Sequence, residues 1–181
     1  PLQMLQIAPV SRESVEAYQE IRGRLDSLSG RINGEFSDVD WAPFRYVNKN
    51  YRRDELAGIY GVARVGLVTP LRDGMNLVAK EFVAARDDER GVLVLSAMAG
   101  AAQELQDAVI INPYDIDAFA RALSRAVDMT PDEQAERMRA MRKVVAGRNV
   151  FGWASDILEG LESLWSKPLQ FAARAPEDAP M

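Results

Sequence analysis

Val65-Gly66-Leu67-Val68-Thr69-Pro70-Leu71-Arg72-Asp73-Gly74-Met75-Asn76-Leu77-Val78-Ala79-Lys80-Glu81 is the stretch on which the reading of this chain turns. Val65 to Thr69 is a short apolar run suited to a buried parallel strand. Pro70 stops it, because proline has no amide to give a ladder. Asp73-Gly74 is a turn dipeptide. From Leu77 to Arg86 the apolar residues Leu77, Val78, Phe82 and Ala85 fall at helical spacing. Strand, turn and helix in this order place the free amides of the helix start beside the carboxyl end of the strand. In an open parallel sheet that crevice takes anionic ligands. Asp73 lies in the turn and Glu81 about two helical turns further on, so one elongated ligand can meet both carboxylates with the amides of Met75 to Val78 between them.

Working outward, strands alternate with helices. Leu2–Ala8, Phe44–Val47, Val65–Thr69, Gly91–Leu95 and Ala108–Ile111 read as strands. Helices are predicted from Ser11 to about Leu28, over Arg53–Ala63, Leu77–Arg86, Ala101–Leu105 and Ala118–Asp128, from Thr130 to about Ala146, and over Val150–Trp165. Ser11 is the expected cap of the first helix, with Glu13 and Ser14 in its first turn. Gly30 is expected to end or bend that helix, and Asn33-Gly34 to form a turn. Thr130-Pro131-Asp132-Glu133 is a cap, a first-position proline and an acidic first turn. Lys167-Pro168 closes the last helix, and the alanine- and proline-rich tail from Ala172 is expected to be mobile. The fold class is therefore α/β, a Rossmann-like parallel sheet with helices on both faces.

The 181 residues carry a net charge of −5 and contain neither cysteine nor histidine. Disulfides, thiolate catalysis and histidine general bases are thereby excluded from this chain. The charge provides no nucleic-acid footprint, and no apolar run has membrane-spanning length. A cytoplasmic setting is the expectation, with no nucleic-acid or membrane partner; a homo-oligomer is left open. The chain opens at Pro1 and enters an apolar run at once, which reads as a fragment of a longer protein.

The acidic pair has the D/E-x7-E form of retaining glycosyltransferases with two Rossmann-like domains, and the run Gly66–Glu81 resembles the trehalose-6-phosphate synthases. Gln6–Arg12, Gly30–Gly34, Gly91–Ser96 and Ile111–Asp115 share that resemblance in order and spacing. It implies transfer of glucose from UDP-glucose to glucose 6-phosphate with retention. It also implies that this chain is the C-terminal, donor-binding half of a two-domain GT-B enzyme, with residues 1–147 as the donor domain, 148–167 as a crossover helix and 168–181 as a tail. Catalytic roles carry over to Asp73, on a hydroxyl of the donor glucose, and to Arg12, on phosphate groups at the donor–acceptor junction. Gly74, Met75 and Asn76 match the loop along the sugar. Leu77 and Val78 match residues that offer amides to the diphosphate, their side chains being core. Glu81 matches the acid on the ribose hydroxyls, since a carboxylate accepts two hydrogen bonds from a cis-diol. Tyr51 falls near the uracil pocket or is ordinary loop packing.

No metal and no cofactor are implied, and the nucleotide is not resolved between UDP, GDP and ADP. Alone, Asp73 is a turn former, Glu81 a solvated helix charge and Arg12 a surface charge. The family's diphosphate-binding arginine and lysine, most of the acceptor site, and a strand between Leu2–Ala8 and Val65–Thr69 are expected upstream of Pro1, leaving this chain inactive and incomplete by itself. The terminal stripe Trp153, Ile157, Leu161, Leu164 and Trp165 is expected to cover the N-terminal domain, the alternative being its own sheet. A non-catalytic nucleotide-sugar-binding module is the competing function.

Overall fold

The computed structural model describes residues 2–9, 16–148 and 150–165, with the backbone alone at 16–18. Arg12, the expected cap residues Ser11, Glu13 and Ser14, the Lys167-Pro168 stop and the tail lie outside the described residues. The chain forms two compact units, Pro1–Leu56 and Ala57–Met181.

In the first unit, β1 (Met4–Ile7) pairs in parallel with β2 (Phe44–Val47), and helix α1 (Glu16–Phe36) lies between them in sequence. The helix does not stop at Gly30, and Asn33-Gly34 is helical rather than a turn. The reason is a clamp: Asn33 Nδ2 donates to the Phe44 carbonyl at 2.9 Å, and its Oδ1 accepts from the Phe44 amide at 3.2 Å. One side-chain amide thus satisfies both backbone groups at the start of β2. That gain exceeds the roughly 1 kcal/mol by which a mid-helix glycine is disfavoured. Ile21 and Leu28, seven residues apart and so on one side of α1, are 54% and 41% exposed. Ser29 is the one fully buried residue among those whose burial is described in this unit.

The second unit begins within α2 (Arg53–Val62). It continues through β3 (Val65–Val68), α3 (Leu77–Ala84), β4 (Val92–Ser96), β5 (Val109–Ile111), α4 (Ile116–Asp128), α5 (Pro131–Gly147) and α6 (Val150–Trp165). Its sheet is parallel in the order β3-β4-β5. Period-two alternation divides the core between two faces. Val68, Leu93 and Leu95 pack with Ala79, Phe82 and Val83 of α3 and Met138 and Met141 of α5. Val92, Val94, Val109 and Ile111 pack with Ala126 of α4 and with Met129. β4 is buried along its whole length, as a central strand covered by helices on both sides must be.

The helix expected over Ala101–Leu105 is instead a 3-10 turn, Gly100–Gln103. Its first amides, which no helix satisfies internally, find acceptors in the loop after β3: Gly100 N donates to Asp73 O at 3.1 Å and Ala101 N to Met75 O at 2.7 Å. α5 starts as its sequence predicts, Thr130 accepting from the Glu133 amide with Pro131 in the first turn. α6 buries none of its residues, and Trp153, Ile157, Leu161, Leu164 and Trp165 are all exposed. The stripe therefore does not seal the sheet of its own unit.

Gly66 sits on the α3 side of β3. A Cβ there would stand 2.7 Å from the ring of Phe82, itself 2% exposed. At the far end of α3, the guanidinium of Arg86, 4% exposed, closes off α2. Its Nη1 donates to the carbonyls of Tyr60 (2.9 Å), Gly61 (2.5 Å) and Ala63 (3.0 Å). Its Nε reaches Arg90 O at 2.7 Å and its Nη2 reaches Asp88 Oδ2 at 3.1 Å. Tyr60 and Gly61 carry two of the last four carbonyls of α2, which a helix C-terminus leaves without a donor four residues on.

Thermal unfolding of the intact protein tests both contacts. Gly66→Ala is expected to destabilise by about 1–3 kcal/mol, the usual result of overpacking a filled core, with partial recovery when Phe82 is also changed to Leu. Arg86→Lys is expected to lower Tm further, because a single ammonium cannot reproduce the fork and each carbonyl left unpaired costs roughly 1–3 kcal/mol.

Candidate functional site

The strand, turn and helix predicted over Val65–Glu81 form in the second unit. β3 ends at Val68 and α3 begins at Leu77, so the intervening loop lies at the carboxyl end of the sheet. Asp73 forms an isolated parallel bridge with Ala99, its amide donating to Met98 O at 3.1 Å. Its carboxylate turns back over the loop. Oδ2 accepts from Asn76 Nδ2 at 2.9 Å, and Oδ1 accepts a longer bond, 3.3 Å, from the Met75 amide. Asn76 is the N-cap of α3: it has φ 75°, and its Oδ1 accepts from the Ala79 amide at 3.0 Å. Asparagine suits both tasks, as a preferred cap and as one of the few residues that tolerate positive φ.

The amides of Gly74, Asn76, Leu77 and Val78 have no acceptor among the described residues. Leu77 and Val78 are in the first turn, where no intrahelical acceptor exists. Their side chains are not core, as the resemblance implied, but 61% and 45% exposed. Leu77 falls on the side of α3 opposite the stripe Ala79, Phe82 and Val83 that packs in the core, while Val78, one turn before Phe82, stands at the edge of that stripe in the uncovered first turn. The first turn therefore presents free donors in a solvent-accessible position.

Glu81 is exposed, one turn beyond those amides. Tyr60 is its neighbour from α2: burial, and then the Glu81 carboxylate, push the phenol up from its ordinary range. The adjacent cation does not serve the crevice. Lys80 Nζ is held by both carboxylate oxygens of Glu104 at 3.1 Å, in a part-buried pair. The site in this unit thus combines two carboxylates with unpaired backbone donors. Such a set accepts from hydroxyl groups and donates to anionic oxygens.

Asp73, Gly74, Met75, Asn76, Leu77, Val78 and Glu81 are therefore brought to one loop and the helix after it. Tyr51 is half-buried in the first unit, four residues beyond β2. Its ring lies beneath Lys49 Nζ, 5.3 Å from the centroid. Sequence reasoning missed two features of the site. The double use of Asn76 was signalled only by a cap-forming residue immediately before the apolar helix. The close approach of Gly100 to the Gly74 carbonyl, where a Cβ would stand 2.0 Å away, had no local signal.

Comparison with known proteins identifies the family of the chain. The family model described as glycosyltransferase family 20 matches residues 2–163. A trehalose-6-phosphate synthase of Klebsiella pneumoniae is 51% identical over 160 residues, covering 88% of this chain and 34% of that protein. A crystal structure of an alpha,alpha-trehalose-phosphate synthase (UDP-forming) from Burkholderia xenovorans, in complex with glucose-6-phosphate, superposes with a TM-score of 0.85 at 52% identity, covering 88% of this chain and 35% of that one. An E. coli structure bound with UDP-2-fluoro glucose reaches 0.85 at 48% identity, covering 88% of this chain and 36% of that one. The chain spans about a third of the length of the relatives it matches. The parallel α/β architecture expected from the sequence is that of a portion of these GT-B structures, and the chain belongs to glycosyltransferase family 20.

Proposed function

We propose that this chain is the donor-binding part of a retaining glycosyltransferase that moves glucose from UDP-glucose to glucose 6-phosphate, forming trehalose 6-phosphate. The observation that carries the reading is the pair Asp73 and Glu81 flanking the free amides of Gly74, Asn76, Leu77 and Val78 at the carboxyl end of β3. Support comes from relatives named trehalose-6-phosphate synthase and from solved structures described with glucose-6-phosphate and with UDP-2-fluoro glucose.

In this reading the diphosphate rests on the first-turn amides of α3, where the helix dipole also favours negative charge. Asp73 accepts a hydroxyl hydrogen bond from the donor sugar, and Gly74, Met75 and Asn76 run along it. Glu81 accepts from the two ribose hydroxyls. The reaction is front-face substitution. The acceptor oxygen bonds to the anomeric carbon as the bond from that carbon to the phosphate oxygen breaks. The electron pair leaves with the diphosphate, and the acceptor proton passes to the departing phosphate oxygen. No protein nucleophile takes part, and the reading invokes no metal or cofactor.

The donor carries negative charge, and both side chains that flank it here are acidic. Cations must therefore come from elsewhere in the protein. Arg12 is assigned to phosphate at the donor–acceptor junction. An arginine and a lysine are assigned to an upstream segment of the same polypeptide, together with most of the acceptor site. Tyr51 is assigned to the vicinity of the uracil. No helix among the described residues is long and apolar enough to cross a membrane, and a cytoplasmic location is part of the proposal.

In the full-length protein, Glu81→Ala and Asp73→Ala are each expected to weaken UDP-glucose binding by roughly 1.5–3 kcal/mol, the worth of a charge-assisted hydrogen bond. That is about ten- to a hundredfold in Kd by calorimetry. Glu81 is exposed, so its variant is expected to keep the wild-type Tm. Unchanged donor affinity and turnover in both variants would remove the site assignment. UDP release is expected only when UDP-glucose and glucose 6-phosphate are both present; release that ignores glucose 6-phosphate rejects the acceptor.

A further inference from the structure

We propose that Gly100 and Asn76 are positioning residues for the Asp73 carboxylate and the free amides beside it, an inference that rests on the donor-site reading above. Neither role needs contact with a ligand. The loop from Asp73 to Asn76 has no regular secondary structure of its own to hold it, and its backbone is stitched to the turn after β4 instead. Asp73 N donates to Met98 O (3.1 Å), Gly100 N to Asp73 O (3.1 Å) and Ala101 N to Met75 O (2.7 Å). This ladder closes only because residue 100 has no side chain. A Cβ there would lie 2.0 Å from the Gly74 carbonyl oxygen, 2.9 Å from its carbon and 3.4 Å from Met75 Cα. All three are backbone atoms, so no rotamer change relieves the clash. Any side chain at 100 moves the peptide between Asp73 and Met75, and with it the carboxylate and the amides of Gly74 and Asn76.

Asn76 fixes what the ladder leaves free. Its backbone at φ 75° turns the chain from the loop into α3, and its Oδ1 takes the Ala79 amide. The remaining donor, Nδ2, holds Asp73 Oδ2 at 2.9 Å. The side chain is thus occupied at both ends within the protein. It orients the carboxylate and leaves the ligand to the Asn76 backbone amide. The turn after β4 and the cap of α3 together set the angle at which Asp73 meets a hydroxyl.

The test uses the full-length protein and its steady-state release of UDP, with donor and acceptor varied separately, alongside thermal melts. Asp73→Ala, Gly100→Ala and Asn76→Asp are compared with wild type. Aspartate at 76 keeps the acceptor for Ala79 and tolerates positive φ, but replaces the donor to Asp73 with a charged oxygen that repels it. Asn76→Ser, which loses the same donor, keeps a cap acceptor and adds no charge, is run beside it. A raised donor KM at this position counts for positioning only when the serine variant shows it too. The positioning variants are expected to raise the KM for UDP-glucose by roughly tenfold or more and to leave the KM for glucose 6-phosphate unchanged, since a misplacement of about 1 Å can cost up to a hundredfold. A purely structural lesion removes active molecules, lowering kcat and leaving both KM values in place. A wild-type donor KM in Gly100→Ala and Asn76→Ser, with Asp73→Ala impaired, overturns the positioning role and leaves the donor site standing. A rise in one of these two alone assigns the role to that residue and overturns it for the other. Should Gly100→Ala not fold, the variants at Asn76 decide. If Asp73→Ala is itself silent, the donor-site reading has failed and the positioning role falls with it.

Discussion

The second unit depends on the contact between Phe82 and Gly66. A helix lying across a parallel sheet is held at a distance set by the side chains between them. At Gly66 the strand contributes none, and the aromatic ring of Phe82 rests directly on the β3 backbone there. Tyr60 of α2 meets the same ring edge-on, with centroids 6.2 Å apart, and the buried Arg86 guanidinium lies 6.0 Å from its centroid. One ring therefore joins the strand, the helix before it and the helix after it. Because α3 is short, fixing its middle fixes its start, and the start carries the amides of the site.

The site is built by the same economy of elements. A turn between a strand end and a helix start is exposed by construction, and its free donors would face water if nothing ordered them. The order comes from two directions. Along the chain, Asn76 caps α3 and holds Asp73. Across the sheet, the turn after β4 supplies backbone partners to Asp73 and Met75. The carboxylate is thus oriented from within the fold, and the first-turn amides stay open. Such preorganised donors stabilise charge without rearranging when it arrives.

The two units contrast in how they are stabilised. The second has a sheet with apolar clusters on both faces. The first has parallel strands, a long helix and the Asn33 clamp, but no buried apolar residue among those described. Its described contacts include backbone pairing, half-buried apolar residues and side-chain amides, Asn33 on Phe44 and Gln3, whose Nε2 donates to Ala42 O at 2.7 Å. β1 and β3 are edges of their respective sheets, each paired on one side. An edge presents a row of unpaired backbone groups.

Much of this was legible in the sequence because the signals were local. Val65 to Glu81 announced strand, turn and helix by period and by turn chemistry, and β2, β4 and the start of α5 fell where apolar runs and caps placed them. Asp73 and Glu81 could be paired because helical rise converts spacing into distance. What the sequence could not determine were contacts between distant segments. Asn33 reads as a turn residue until Phe44 is beside it, and then its amide keeps the helix going past Gly30. Leu77 and Val78 read as core, yet with Ala79, Phe82 and Val83 in the core the first turn of α3 stands uncovered and both are exposed. Gly100 carries no local signal until the Gly74 carbonyl fills the place of its missing side chain. In each case the residue's own preferences permit several conformations, and the choice is made by a partner brought close only when the sheet forms.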